Sequence, residues 1–159
     1  MNNLNRIGLD TEKSQELAQL LNDLLANYST LYQNVRGYHW NVKGDKFFEF
    51  HLKFEELYNN LFIKIDEVAE RVLTLGFTPK HKFTDYLKET AIAESNEVTN
   101  GYKSVEEILD AFKILLSKQR HILGLSAAID DEGTNAQMSD YIREQEKLVW
   151  MYSAFLNKQ

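Results

Sequence analysis

From Asp45 to Leu75 the chain contains neither glycine nor proline, and its residues sort onto separate faces when wound at helical pitch. At about 100° per residue, with His51 at zero, Glu55 falls near ~40°, Asp66 near ~60° and Glu70 near ~100°, so one side of a single helix holds all four. Phe48, Leu52, Phe62, Ile63 and Leu73 fall within or beside that sector. Phe54, Leu57, Leu61, Ile65, Val68 and Val72 form a second apolar stripe roughly a third of a turn away. Glu49, Lys53, Glu56, Asn60, Lys64, Glu67 and Arg71 fill the remaining sector, which is expected to be wet. One apolar stripe needs one packing partner, so two stripes flanking a polar face imply a bundle core plus a contact between subunits.

Axial distance then divides the ligand stripe. Fifteen residues at ~1.5 Å rise put Glu55 and Glu70 roughly 22 Å apart. Metal ligands approach within about 2.0–2.2 Å, and paired catalytic metals sit only ~3.5–4 Å apart, so no single centre spans the stripe. A second copy lying antiparallel across a two-fold axis near Asn60 and Leu61 would set His51 and Glu55 of one chain against Asp66 and Glu70 of the other. Such an isologous contact generates two equivalent sites at once.

The remaining helices have readable ends. The first is expected from about Thr11 to His39 with Asp10 as N-cap, carrying Leu17, Leu20, Leu21, Leu24, Tyr28, Leu31, Tyr32 and Val35 at helical spacing. The second restarts after Gly44 and Asp45 and runs to about Leu75, where Gly76 and the sole proline, Pro79, stop it. Ser104-Val105-Glu106-Glu107 and Thr134-Asn135-Ala136-Gln137 read as capping boxes, opening a third helix through Leu125 and a last one to Phe155 or Leu156. The long connection from Gly76 to Ser104 is what a bundle with parallel second and third helices requires, and Phe83 to Glu89 forms a short helix within it. At 159 residues the chain is expected to be one domain, 1–159, with 1–10 as a short N-terminal tail.

Cysteine is absent, which excludes disulfide scaffolds, thiolate metal sites and thiol catalysis. The opening MNNLNRIGLD lacks a secretory pattern, no apolar stretch approaches membrane-spanning length, and a cytoplasmic protein without membrane contact is the simplest expectation. The net charge of −6 disfavours a surface built to collect phosphates.

A lone helical histidine is usually structural, and acid pairs one turn apart are common on solvated faces. Here His39, His51, Glu55, Asp66 and Glu70 align with Phe48, Phe62 and Leu73, where unpaired carboxylates would be costly to desolvate and a cation would relieve the cost. Imidazole and carboxylate donors without sulfur suit iron, zinc or manganese, and a carboxylate-rich set favours redox-active iron over structural zinc. The intrachain di-iron bundle needs Glu-x-x-His motifs. Arg36, Phe48, Thr78 and Lys118 stand three before the four histidines, so the chain has none.

The run Tyr38 to Arg71, YHWNVKGDKFFEFHLKFEELYNNLFIKIDEVAER, closely resembles the mini-ferritins known as Dps, DNA-binding proteins from starved cells, and the similarity covers essentially the whole chain. Its specific core is the spacing of His39, His51, Glu55, Asp66 and Glu70. The resemblance implies an all-α, ferritin-like four-helix bundle with a short helix in the long connection, and assembly from two-fold dimers into a dodecameric shell. It also implies iron as the bound metal, oxidation of ferrous iron by hydrogen peroxide, and storage of ferric mineral inside. In that family the two histidines and first acid come from one subunit and the last two acids from its mate. Trp40 corresponds to the aromatic residue beside the family's site. The residue four after the second histidine is ordinarily Asp; Glu55 keeps the charge and lengthens the reach.

The resemblance further implies a three-fold pore lined by acids near the start of the last helix, where Asp130, Asp131, Glu132 and Asp140 are the candidates. The alternative for these four is helix-start and solubility charge. His81 and His121 lie outside the motif and read as structural or surface residues. Before Asp10 only Arg6 is basic, so DNA binding is expected to be weak or absent. The competing readings are a nucleoid-associated DNA-binding shell whose metals matter little, and a metal-free interaction bundle.

Overall fold

The computed structural model describes residues 3–158. Met1, Asn2 and Gln159, which the single-domain expectation includes, lie outside the described residues. The chain forms α1 (Thr11–Asn41), α2 (Phe47–Thr74), α3 (Phe83–Glu89), α4 (Gly101–Ala128) and α5 (Glu132–Phe155), with no strand among the described residues beyond two isolated bridges. This is the expected all-α arrangement of four long helices with a short helix in the long connection.

Local chemistry sets the ends. Asp10 caps α1 by accepting from the Lys13 N–H at 2.9 Å. At the end of α2, Gly76 takes φ 94°, which lets Phe77 N–H reach the Val72 carbonyl at 3.1 Å and close the last turn. Both expected capping boxes are displaced by about one turn. Asn100, not Ser104, caps α4 through Lys103 N–H; Ser104 is buried inside the helix and donates its hydroxyl back to the Asn100 carbonyl. Asp131, not Thr134, caps α5 by accepting from Thr134 N–H at 3.0 Å. In each case an Asn or Asp three or four residues earlier starts the helix first, and both side chains are strong caps.

The core contains Leu17, Leu21, Leu24, Leu31 and Val35 of α1 and Phe54, Leu57, Leu61, Val68 and Val72 of α2. α1 also carries Asn22, Asn27 and Asn34, which act as brackets for the crossover between α2 and α4. Asn22 accepts from Lys80 N–H at 2.8 Å, Asn27 accepts from Ala91 N–H at 2.9 Å, and Asn34 accepts from Ser95 N–H at 3.0 Å while donating to the Ala93 carbonyl at 2.9 Å. The crossover has no strand to pair with, so these amides satisfy its backbone. Residues 3–10 also fold back: Thr11 N–H donates to the Asn3 carbonyl, and the Asn5 side chain accepts from Ile7 and Leu9.

The sector of α2 expected to be wet is exposed at Glu49, Lys53, Glu56 and Glu67 but not at Lys64 and Arg71. Lys64 is only 4 % exposed, and Arg71 is largely covered by α5. Asn60, Lys64, Glu67 and Arg71 recur at helical spacing and face α5, whose Asp131, Thr134, Tyr141 and Glu144 supply complementary groups. Polarity alone did not distinguish a solvated face from a polar seam.

Candidate metal centre

The turn between α1 and α2 brings the end of one helix against the beginning of the next. His39 lies in the last turn of α1 and His51 in the second turn of α2, and their rings stack at 3.8 Å between centroids with planes 14° apart. Each ring Nδ1 donates to the other residue's backbone carbonyl, His39 to His51 O at 2.7 Å and His51 to His39 O at 2.8 Å. A carbonyl oxygen can only accept, so each neutral imidazole carries its proton on Nδ1 and offers the lone pair of Nε2. Each ring is therefore oriented by the backbone of the other histidine, the role that an outer-shell carbonyl plays at metal-bound histidines.

Aromatic neighbours complete the clamp. Phe47, one turn before His51, stacks on its ring at 5.2 Å, and Tyr58 meets the His39 ring edge-on at 5.3 Å. His39 is 8 % exposed, whereas His51 and Glu55 are half-buried. The donor set is two fixed imidazole nitrogens with a carboxylate one turn further along α2, and no sulfur. Its chemistry fits ferrous iron, one of the divalent cations that imidazole and carboxylate donors both bind.

Asp66 and Glu70 are not brought to this cluster. They are exposed further along α2, roughly 16 and 22 Å from Glu55 by helical rise, and among the described residues no three His, Asp or Glu side chains converge on one point. One chain thus carries two separate half-sets. Between and around them the surface is apolar: Phe48 is 83 % and Phe62 61 % exposed, with Leu52, Ile63 and Leu73 also open. Returning those five side chains to an apolar contact would contribute on the order of 1–2 kcal/mol apiece.

Trp40 follows His39 directly but is exposed, and its ring is covered by the Arg36 guanidinium at 4.7 Å. Of the four acids at the start of α5, Asp130, Glu132 and Asp140 are exposed, and Asp140 pairs with Arg143 at 2.8 Å. Asp131 follows the helix-start alternative and not the pore reading. It is 2 % exposed, caps α5 and pairs with Arg71 at 2.6 Å, so its carboxylate faces the bundle and not a channel. His81 and His121 are exposed.

Sequence reasoning missed Phe47 and Tyr58. Phe47 could have been found from its spacing of one turn before His51. Tyr58 acts on a residue of the other helix, which spacing within α2 does not reveal. The reciprocal carbonyl bonds leave no mark in side-chain identity at all.

A family model described as Ferritin-like domain matches residues 18–159. The crystal structure of the DPS protein from Vibrio cholerae O1, described as a member of a broad superfamily of ferritin-like diiron-carboxylate proteins, superposes with a TM-score of 0.95 at 56 % identity, covering 98 % of each chain. An uncharacterized protein of Haemophilus influenzae is 54 % identical over 93 % of this chain and 92 % of its own length. The DNA protection during starvation protein of Porphyromonas gingivalis is 38 % identical over 95 % of both chains.

Proposed function

The chain belongs to the Dps family of ferritin-like proteins, and from that premise we propose that it is a ferroxidase and iron store whose oxidation sites are each assembled from two copies. The observation that carries the reading is the locked imidazole pair, which presents two Nε2 lone pairs beside Glu55 on a stripe that also bears Asp66 and Glu70. An antiparallel second copy would bring its acids to that pair, and the exposed apolar side chains flanking the stripe would be covered by the same contact.

Iron is the substrate. His39, His51 and Glu55 would hold the ferrous ion, and Asp66 and Glu70 of the second copy would complete or bridge the site. Hydrogen peroxide would take two electrons, one from each of two ferrous ions, and two protons from water, so that its O–O bond breaks to give two water molecules and two ferric ions without releasing a hydroxyl radical. Carboxylates favour the ferric product because added charge strengthens their attraction for it. The half-burial of His51 and Glu55 limits competing water, and the Phe47 and Tyr58 rings prevent the imidazoles from turning away. Trp40 would lie at the margin of this site.

Two-fold dimers of this kind would build a dodecameric, cytoplasmic shell from single-domain subunits, with ferric mineral inside. The exposed Asp130, Glu132 and Asp140 would draw ferrous ions toward an opening, whereas Asp131 is reserved for the fold. No helix among the described residues is long and apolar enough to cross a membrane. The rival reading, a DNA-coating shell, finds little support: residues 3–10 are folded back and carry Arg6 as their single basic side chain, and the chain's net charge is −6.

The test is anaerobic ferrous titration followed by peroxide addition for the native chain, His51→Ala and Asp66→Ala. Both variants should lose tight ferrous binding and rapid oxidation. Retention of native binding and rate by Asp66→Ala would exclude the shared site, and absence of both from the native protein would exclude the ferroxidase.

A further inference from the structure

The polar seam between α2 and α5 holds a buried lysine and a largely covered arginine, neither of which binds iron in the reading above. Lys64 Nζ donates to Asn60 Oδ1 and Glu144 Oε2, both at 2.9 Å, and lies 5.2 Å above the Tyr141 ring. Asn60 donates to Glu144 Oε1 at 2.6 Å, and Tyr141 OH donates to Glu67 Oε1 at 3.0 Å. Arg71 donates through Nε to Thr134 Oγ1 at 2.8 Å and through Nη2 to Asp131 Oδ1 at 2.6 Å. Gly133 admits this guanidinium, since a Cβ there would stand 2.6 Å from Arg71 Nη2. The seam therefore runs from Asn60 to Arg71 on α2, across the stretch that carries Asp66 and Glu70.

Its position around the helix gives it a consequence. With His51 at zero, the seam residues cluster near ~190°, the core stripe near ~285° and the ligand stripe near ~50°, so the ligands lie about 140° from the seam. Apolar burial is non-directional and tolerates small rotations of a helix in its groove. Hydrogen bonds weaken steeply off axis, and a guanidinium fork fixes direction as well as distance. A rotation of about 20° at a side-chain radius of roughly 6 Å displaces a ligand by about 2 Å, as much as a whole metal–ligand bond.

We infer that the Asn60–Lys64–Glu67–Arg71 seam is a positioning device that sets the rotation of α2 about its own axis, and thereby aims Asp66 and Glu70 at the site they share with a second copy. Lys64 and Arg71 are its positioning residues. The inference rests on the ferroxidase reading for its consequence, but its structural half does not need iron. Replacing both partners of a buried ion pair by neutral groups of similar volume costs the fold little, whereas removing one partner strands the other charge, so a test of the seam must neutralise each pair as a unit.

The experiment uses the full chain with Lys64→Met plus Glu144→Gln, and Arg71→Met plus Asp131→Asn, each neutralised pair alone and both together as the double variant, with Arg71→Lys as the conservative variant. The double variant should stay folded and assembled by urea melting and light scattering. It should bind ferrous iron anaerobically roughly tenfold more weakly, and raise KM for iron by a similar factor with kcat within about twofold of native. Arg71→Lys should recover part of the loss. A metal-free measurement accompanies it: the chain has no cysteine, so nitroxides at Thr74→Cys and Lys113→Cys report the placement of α2 against α4. Their distance distribution should shift or broaden by about 2 Å in the double variant. Native iron affinity together with an unchanged spin distance in a folded double variant would overturn the inference. Unfolding of both neutralised pairs would overturn it too, by making the seam a stability element. A native chain that neither binds nor oxidises iron would remove the ferroxidase reading and leave the spin distances to decide the seam.

Discussion

Mixing two inactive variants gives a number that follows from the division of the stripe. His51→Ala damages the imidazole half-set of a chain, and Asp66→Ala damages its acidic half-set, which lies roughly 16 Å further along the helix than Glu55. Within one chain the two halves do not converge. In a two-fold dimer containing one of each variant, one interface site receives both damaged halves and the other receives both intact halves. Random reassembly of equal amounts makes about half of the dimers mixed, and half of the sites in those are whole, so about a quarter of native activity should return. The assay is the initial rate of peroxide-driven ferrous oxidation after joint unfolding in urea and refolding, compared with each variant refolded alone. His51→Ala mixed with His39→Ala is the control, because both changes strike the same half-set and no intact site can form. A mixed rate no greater than the sum of the separate variants would refute the shared-site argument.

Other consequences can be checked without iron. Asn27→Ala removes the acceptor for Ala91 N–H at a fully buried position, and should lower unfolding free energy by about 1–3 kcal/mol in urea melts. Burial raises the phenol pKa of Tyr28, Tyr38, Tyr141 and Tyr152 above the ordinary value of 10.0. Below pH ~10 these tyrosines are neutral in both states; above it the unfolded chain ionises first, so stability should fall by up to about 1.4 kcal/mol per pH unit for each. Urea midpoints followed from pH 9 to 11 test this, with tyrosinate absorbance appearing only on unfolding for these four. Purified protein should give no gel shift with duplex DNA at ~150 mM salt, and a clear shift would restore the DNA-coating reading.

Periodicity carried the bundle a long way. The apolar stripes of α1 and α2 needed only the pitch of a helix to be read, and Gly76 marked the end of α2 because glycine takes positive φ readily, with Pro79, which lacks an N–H, just beyond it. The α3 bounds agreed with their expectation for the same local reason. Caps were less legible: Asn100 and Asp131 prevailed over Ser104 and Thr134 because capping depends on which residue takes the non-helical conformation at the helix start, which the preceding turn decides.

The amino-acid order by itself determined that four potential ligands share one face of α2 and that no single metal could span them, since rise and rotation per residue are constants of the helix. Only the tertiary structure decided that His39 and His51 hold each other through reciprocal carbonyls, that Asp131 turns inward to Arg71, and that Lys64 is buried. Those features join residues on different helices, where distance is set by packing and not by position along the chain.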